Sequence, residues 1–449
     1  MNKIKTLLSF IVLAVTLPLG AQSFHESLFL SNYRLGYRYN PAIQSDTDFI
    51  SIGEFTNYAA NNVGASAFLF PRNGELVTGL HPDVFIYDFM TPLKTINAFQ
   101  DHLNYSIFAY GFRAGESFHT VELSARGMSG MSVPKEFFRF LKLGGEGLFP
   151  LGGTRMQGKL FAELAYGYSR KIGDQLTLGA RAKLLVGLYS ADFNIRQFDL
   201  QVNGESYHAE TDAQLDLTSH AAKLVTNEDG YLQLLKWRTR DRWVLPSGAG
   251  LAVDLGFLWE PAEGLKISAS VTDLGGLFWY YGNAGNSAGS YTFTGLSLGG
   301  YEDLNFQGLL TQAKELGEQL LNAASFKADN RRIVFDALPF QVNAGIRYSM
   351  PFYRALSVGV TGNYSAFQGL PYWEGRFVTA VNPLNWLDLC GSIGYGTYGL
   401  TWGAALQFRV LRFRVHAGIQ DGFGGTIPYT SIPLEANGKT LVIGLTYDI

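Results

Sequence analysis

The sequence predicts an all-β protein, a closed antiparallel transmembrane β-barrel of about fourteen strands. Three observations lead to this prediction: an export signal at the N-terminus, a composition low in charge, and long segments that alternate between apolar and polar residues. Charged residues make up 16% and aromatic residues 14% of the chain, whereas a typical soluble domain has about 25% charged residues. The formal net charge of −3 gives no indication of a nucleic-acid partner.

The first residues have the pattern of a signal peptide. Residues 2–5 include two lysines, residues 7–17 are a short apolar stretch, and residues 19–21 are Leu-Gly-Ala, which fits the small-residue cleavage pattern. We therefore expect residues 1–21 to be removed. The apolar stretch is shorter than the roughly 20 residues of a membrane-spanning helix. The single cysteine, Cys390, excludes an internal disulfide bond.

Alternation with a period of two identifies the strands. In residues 410–420, VLRFRVHAGIQ, one face carries Leu411, Phe413, Val415, Ala417 and Ile419, and the other carries Arg412, Arg414 and His416. The segments 175–188, 340–349 and 440–449 show the same pattern. We expect the apolar faces to contact lipid and the polar faces to line the lumen, because arginine at the bilayer midplane costs about 2–4 kcal/mol.

The lengths of the connections support an even number of strands. The short connections follow strands of even number, and the long ones, 58–103, 128–159, 190–248, 275–339 and 421–438, all follow strands of odd number. Outer-membrane barrels show this asymmetry, with short periplasmic turns and long extracellular loops. We predict strands near 48–57, 104–113, 117–127, 160–170, 175–189, 249–259, 264–274, 340–350, 355–366, 372–381, 386–396, 399–409, 411–420 and 439–449.

A soluble β-sandwich would also alternate, so the two folds must be distinguished. The polar faces are rich in Gly, Ser and Thr, which suits a crowded lumen better than open water. The predicted strands have ten or more residues, as a tilted strand needs to cross a bilayer, whereas globular strands average about five or six. Aromatic residues gather near the strand ends, where an interfacial girdle is expected.

The strand phases also give candidate ligand-binding residues in the lumen. Most of these charges are expected to pair with one another, because unpaired buried charge is costly. Arg412 and Arg414 have the largest local surplus of positive charge and are the best candidates for an anionic headgroup. The candidates that we expect to face the lumen are Arg181, Lys183, Arg347, Arg376, Arg409, Arg412, Arg414 and His416.

Motifs of enzyme chemistry are missing from the sequence. It has no HExxH, GxSxG, CxxC or phosphate-binding glycine motif, and its seven histidines do not show metal-ligand spacing. His416 beside Asp388 or Glu374 could be drawn as a catalytic pair, but a hydrogen-bonded lumen histidine is the simpler interpretation. We expect no enzymatic activity, no cofactor and no metal site.

Two resemblances bear on the fold. Residues 38–42, Arg-Tyr-Asn-Pro-Ala, resemble the Asn-Pro-Ala element of FadL-like fatty-acid channels, which are fourteen-stranded barrels plugged by an N-terminal segment. The segments 161–187, 268–275 and 337–348 more closely resemble a domain-of-unknown-function family of outer-membrane barrels from the Bacteroidota. These resemblances imply a plug at 22–46, including Arg38, Asn40 and Pro41, and a barrel at 47–449.

Two predicted helices lie in the long extracellular loops. Residues 303–324 have apolar side chains at helical spacing, and residues 134–142, PKEFFRFLK, form a second, short amphipathic segment. The first would cap or gate the mouth of the barrel. The aromatic side chains of the second would capture apolar ligands or lie among lipid headgroups.

The resemblance to FadL-like channels implies passive transport of a small or hydrophobic molecule across the outer membrane of a Gram-negative bacterium. A hydrophobic or anionic small molecule is the expected partner. The alternative is a barrel that transports nothing and presents its loops to secretion or surface-attachment machinery. Outer-membrane lipids are the expected surroundings in both cases. The sequence does not determine the oligomeric state.

Overall fold

A computed structural model describes most of the chain. The predicted signal peptide and the predicted helix at 303–324 lie outside the described residues. Among the residues that are described, no helix is both long and apolar enough to cross a membrane. The described residues are 25–30, 33–72, 75–204, 206–228, 230–237, 242, 245–280, 282–294, 326–329, 333–366, 371–425 and 434–449.

Fourteen long strands form the body of the molecule, and each overlaps one of the fourteen predicted strands. In chain order they are β1 (Phe49–Asn61), β2 (Ile96–Ala114), β3 (Ser117–Pro134), β4 (Thr154–Ile172), β5 (Leu176–Asn203), β6 (Gly248–Ala262), β7 (Leu265–Trp279), β8 (Gln341–Ser349), β9 (Leu356–Ser365), β10 (Tyr372–Leu384), β11 (Leu387–Gly396), β12 (Gly399–Val410), β13 (Phe413–Gly422) and β14 (Asn437–Asp448).

The fourteen strands close into a ring. Each strand pairs antiparallel with the next along the chain. The last strand pairs with the first, with Phe49 opposite Asp448 and Asn61 opposite Asn437. A closed ring leaves no open strand edge, which is what a sheet needs in a membrane, where no water can hydrogen-bond unpaired backbone groups. The structure thus confirms the predicted barrel and its strand number.

The outward face of the barrel is apolar. In β12, Leu406 and Val410 are 44% and 50% exposed, whereas the neighbouring Gln407 is buried. In β13, Phe413 and Val415 are exposed, whereas Arg414 and His416 are buried. The apolar side chains therefore point away from the lumen, and the barrel presents the hydrophobic belt of a membrane protein.

The two ends of the barrel differ in their connections. One end has short turns at 115–116, 173–175, 263–264, 350–355, 385–386 and 411–412. Both ends of the barrel chain meet there, because the Ile449 amide donates to the Asp48 carbonyl at 3.0 Å. By the rule for bacterial barrels, this is the periplasmic end.

The other end carries most of the additional structure. Among the residues that the structure describes, two α-helices lie there, Ile86–Met90 and Lys135–Leu143, and the second confirms the helix predicted at 134–142. Short 3-10 helices cover His25–Leu28 and Gly36–Arg38 in the N-terminal segment, and Ala65–Ala67 after β1. The remaining strands are Leu69–Arg72, Glu75–Thr78, Gly147–Pro150, Ser206–Ser219, Ala222–Thr226, Leu232–Trp237, Gly282–Thr294, Lys327–Asp329 and Val334–Ala337.

An extracellular sheet stands where we expected long loops. Strand β5 continues beyond the barrel to Asn203 and turns back into Ser206–Ser219. The returning strand pairs in turn with Gly282–Thr294. The connections 190–248 and 275–339 are therefore partly strand. In Ser206–Ser219 the even positions are polar and the odd positions are mostly apolar, so the alternation was present in the sequence.

Candidate functional site in the barrel lumen

The N-terminal segment, residues 25–30 and 33–46, lies inside the barrel. Its apolar side chains, among them Phe29, Leu35 and Tyr37, are almost fully buried and pack against inward-facing wall residues such as Phe49 and Phe118. Burial of aromatic and aliphatic side chains is the main favourable contribution to this docking. The contacts of the segment range from Gln420, toward the extracellular end of β13, to Asp448, at the periplasmic end of β14.

A pair of wall glycines receives the Asn40-Pro41 turn. Gly179 of β5 lies opposite Gly256 of β6. A Cβ atom at Gly256 would lie 2.0 Å from Asn40 Oδ1, and one at Gly179 would lie 2.3 Å from the Pro41 carbonyl carbon. The Asn40 amide nitrogen donates to the carbonyl of Phe257 at 2.8 Å. The Asn-Pro element thus fits a notch that only glycine leaves open.

Arg38 joins the N-terminal segment to two strands. Its Nη1 lies 2.8 Å from Oε1 of Glu54 in β1, and its Nη2 lies 2.6 Å from Oε1 of Glu122 in β3. Glu122 also accepts from Arg181 of β5 at 2.6 Å and from the hydroxyl of Tyr37 at 2.9 Å. One buried carboxylate therefore holds three donors from the segment and the wall.

A second group of charges lies on β3 to β7. Arg126 donates to both oxygens of Asp273 at 2.7 and 2.8 Å and to Glu163 at 2.8 Å. Lys183 contacts Asp273 at 2.7 Å and Asp254 at 2.6 Å. Asp273 is buried and has a left-handed backbone, with φ of 63°. Strained residues of this kind gather at functional sites.

Two further anchors hold the N-terminal segment. Glu26 is fully buried and accepts a hydrogen bond at 2.6 Å from Ser392, with Arg376 Nη1 3.8 Å away. Near the periplasmic end, Asp448 accepts hydrogen bonds from Arg34 of the segment at 2.8 and 3.1 Å, and from Arg414 at 2.9 Å.

Most of the predicted lumen residues reach the lumen. Arg181, Lys183, Arg376, Arg414 and His416 are buried there, and Arg347 donates to the Leu28 carbonyl at 3.1 Å. His416 does not lie against Asp388 or Glu374 in a catalytic pair; its Nε2 is 3.5 Å from Oε2 of Glu54.

Two predicted lumen residues, Arg409 and Arg412, are exposed at the periplasmic end instead. The strand predicted at 411–420 starts two residues too early, because β13 begins at Phe413 and residues 411–412 form a turn. Leu411 adopts φ of 56° in this turn. Arg409, near the end of β12, donates from Nε to the Leu411 carbonyl at 3.2 Å. Neither arginine can then contribute to a lumen site.

The sequence did not identify three of the anchoring carboxylates, Glu26, Glu54 and Asp448. Glu54 was missed because a bulge at Gly53, which has φ of 72°, interrupts the alternation in β1. Before the bulge the residues that face inward are Phe49 and Ser51, and after it the next one is Glu54. The glycine before an acidic residue in a strand was the available signal. Glu26 lies before any strand, and Asp448 gains its role only through the closing of the ring.

A polar cavity of about 100 Å³ lies between the N-terminal segment and the wall. Its lining includes Ser27, Arg38, Glu54, Asn104 and Arg181. Within the described residues, no group of three His, Cys, Asp or Glu side chains could hold a metal ion. The cavity offers hydrogen-bonding groups of both signs and is the part of the lumen most suited to binding a small solute.

Several solved outer-membrane proteins are similar in structure to this chain. The toluene transporter TodX of Pseudomonas putida is 9% identical, with 96% of this chain and 95% of that chain covered and a TM-score of 0.46. The toluene transporter TbuX of Ralstonia pickettii is 11% identical, with 96% and 97% covered and a TM-score of 0.47. A FadL homologue of Pseudomonas aeruginosa is 11% identical, with 96% and 99% covered and a TM-score of 0.46. At TM-scores below 0.5, these similarities carry no argument about the function of this chain.

The sequence itself matches a family model over most of its length. No curated protein matches the chain. The match to the family model spans residues 41–419, which include β1 to β12, most of β13, and the Pro41 end of the glycine notch. The chain belongs to DUF5723, a family of unknown function.

Proposed function

We propose that the protein is a plugged transport barrel in the outer membrane of a Gram-negative bacterium, through which a small molecule diffuses passively. The observation that carries the proposal is the position of the N-terminal segment. It crosses the lumen of a closed barrel and makes polar contacts to opposite walls, with Glu26 beside Ser392 and Asn40 beside Phe257. A segment in this position acts as a plug.

The chemistry of the lumen supports transport. Replacing buried ion pairs by packed apolar side chains is often neutral or stabilising, so ion pairs are weak evidence for a purely structural role. Ionisable residues at membrane depth tend to mark solute or ion pathways. The plug is held by the polar contacts of Arg38, Glu122 and Arg181. Water or a solute can replace polar contacts of this kind, whereas they could not replace the contacts of a tightly packed apolar interface.

The finer cargo suggested by the sequence, a hydrophobic or anionic amphiphile bound at Arg412 and Arg414, finds little support in the geometry. Arg414 is already paired with Asp448, and Arg412 lies in an exposed turn. A small solute that passes beside the plug agrees better with the polar lining of the cavity.

The alternative function is a scaffold that transports nothing. The scaffold function is favoured by the extracellular sheet, which consists of the end of β5, Ser206–Ser219 and Gly282–Thr294. Secretion or surface-attachment machinery could bind to this sheet. A scaffold of this kind would have no need for a lumen that opens. Permeation measurements therefore separate the two functions.

The test is deletion of residues 22–46 behind an intact signal peptide. We expect the shortened barrel to insert, to keep its heat-modifiable migration in detergent, and to conduct ions several-fold better than the full chain in planar bilayers. Deletion of residues 203–206, between β5 and the returning strand of the extracellular sheet, is the control and should leave conductance unchanged. Equal conductance of the full chain and the 22–46 deletion would contradict the proposal.

A further inference from the structure

Several buried polar atoms on residues that line the cavity beside the plug form no hydrogen bond within the described residues. They are Ser27 Oγ, Asn104 Oδ1, Arg181 Nε and Glu54 Oε2, the last of which lies 3.5 Å from His416 Nε2. Glu54 is 1% and Arg181 is 5% exposed. Leaving such buried groups unsatisfied is unfavourable, which favours a ligand that can form hydrogen bonds in the cavity.

The charges around the cavity exclude an ionic occupant. Each lining cation already contacts at least one carboxylate: Arg38 contacts Glu54 and Glu122, Arg126 contacts Glu163 and Asp273, Arg181 contacts Glu122, and Lys183 contacts Asp254 and Asp273. An anion would find no free cation, and a cation would approach Arg38 and Arg126. A ligand with no net charge leaves these pairs intact.

The polar side chains of the lining also specify what the ligand must offer. The side-chain oxygens of Glu54 and Asn104 accept hydrogen bonds, whereas the Arg181 guanidinium donates them, and the Ser27 hydroxyl does either. The ligand therefore needs both donors and acceptors, which a hydrocarbon lacks. A cavity of about 100 Å³ has room for about four non-hydrogen atoms, since a 150 Å³ cavity accommodates benzene, which has six.

We propose that this cavity is a binding site for a small polar solute without net charge, of the size of an amide or a short polyol. The proposal rests on the proposed transport function and names the class of solute that the barrel takes. The plug supplies one wall through Ser27 and Arg38, and the barrel supplies the other through Glu54, Asn104 and Arg181. A bound solute thus touches Arg38, which also holds the plug to β1 and β3.

The test compares three probes of the same shape: acetamide, acetate and acetamidinium. Saturation-transfer NMR on the full chain in detergent should give a signal for acetamide at least several-fold above those of the two charged probes. The variant Asn104→Leu, which removes an acceptor and fills the cavity, should abolish the acetamide signal. The matched control Asn203→Leu makes the same change at the exposed end of β5 and should keep it.

Three results would overturn the proposal. Equal or stronger transfer to acetate or acetamidinium would show that charge does not select the ligand. Absence of transfer to all three probes would show that the cavity binds none of them, and an acetamide signal that survives Asn104→Leu would show that acetamide binds outside the cavity. Folding of Asn104→Leu is checked by heat-modifiable migration, and Ser27→Val, on the plug side, is the second variant if Asn104→Leu fails to insert.

The outcome is independent of the transport experiment. If deletion of residues 22–46 raises conductance but acetamide does not bind, transport stands and the solute class is wrong. If acetamide binds selectively but the deletion leaves conductance unchanged, the site stands and the transport function is wrong. Neither measurement relies on the other for its control.

Discussion

Arg34 and Asp448 form a two-point ion pair between residues that are 414 positions apart in the sequence. Arg34 donates from Nε and Nη2 to the two carboxylate oxygens, at 2.8 and 3.1 Å. Asp448 is the last residue of β14 and lies opposite Phe49 of β1, at the seam where the barrel closes. The plug is therefore fastened to the strand that completes the ring.

The first prediction is that Asp448→Asn destabilises the plugged barrel by about 3–5 kcal/mol, because Arg34 and Arg414 then remain buried without their shared carboxylate. The midpoint of urea-induced loss of the heat-modifiable form measures the effect. Arg412→Gln, in the exposed turn nearby, is the control and should change the stability by less than about 0.5 kcal/mol. Similar midpoints for both variants would mean that the seam contact contributes nothing.

The second prediction concerns the lipid face of β12. Leu406 and Val410 both point outward from this strand, Leu406 near its middle and Val410 at its periplasmic end. Leu406→Arg should cost about 2–4 kcal/mol and reduce insertion, whereas Val410→Arg should cost about 0–1 kcal/mol, because the penalty falls toward the interface. Refolding into lipid vesicles measures both. Equal costs would place β12 outside the hydrocarbon region.

The barrel itself could be predicted from the sequence because alternation is a local property. Residues 411–420 showed which side chains face lipid without any knowledge of their neighbours. The same reasoning failed at Arg412, where the strand had ended, and at Glu54, where one bulge at Gly53 reversed the phase. Errors of this kind occur at strand ends and bulges, where the period of two no longer holds.

The lumen site could be predicted only in part, because its partners come from distant strands. Alternation placed Arg181 and Glu122 inside, but their contact depends on the pairing registers of β3 with β4 and β4 with β5. Predicting the cavity also requires the depth to which the plug enters the barrel. That depth follows from the fit of Asn40 against Gly256, and no local pattern in the sequence encodes it.

The third prediction separates charge from backbone strain at Asp273. Asp273→Gly keeps the left-handed backbone but removes the carboxylate that Arg126 and Lys183 share, and we expect a loss of about 2–3 kcal/mol. Asp273→Ala removes the same carboxylate and adds about 1 kcal/mol of strain, because alanine is unfavourable at φ of 63°. Urea denaturation of both variants tests the order; an alanine variant as stable as the glycine variant would exclude strain at this residue.

The fourth prediction is a pH dependence in the extracellular sheet. Arg196 donates to both oxygens of Asp212, at 2.8 and 2.6 Å, and this hydrogen bonding lowers the pKa of Asp212 below its ordinary value. The ion pair therefore stabilises the hairpin above the ordinary pKa of an aspartate, about 3.9, and the contribution is lost as the pH falls through the lowered pKa. The effect is small, because both groups are exposed.

Amide exchange of Ser206–Ser219, followed from about pH 5 to about pH 2.5 and corrected for intrinsic rates, measures this loss. Asp212→Asn should exchange faster at the higher pH and lose most of the pH dependence. Asp199→Asn, on the same hairpin, is the control and should keep it. A wild-type hairpin whose protection does not change over this range would show that the ion pair does not stabilise the sheet.

The last prediction uses the glycine notch to displace the plug without disturbing the strand pairing of the wall. In Gly256→Ala the new Cβ would lie 2.0 Å from Asn40 Oδ1, so the Asn40-Pro41 turn must move, at a cost of about 1–3 kcal/mol for overpacking. The backbone pairing of β5 with β6 does not depend on this position being glycine, so the barrel should insert normally. We expect a higher single-channel conductance than that of the full chain, approaching that of the 22–46 deletion.

Gly391→Ala is the matched control, because a Cβ there meets nothing within 4 Å, and its conductance should equal that of the unaltered protein. The double variant Gly256→Ala with Asn40→Ala removes the atom that the new methyl group meets, so part of the low conductance should return. The two substitutions are then non-additive, as expected for residues in contact. If Gly256→Ala conducts like the control, or if Asn40→Ala gives no rescue, the notch does not position the plug, and the Asn-Pro element must serve the barrel in some other way.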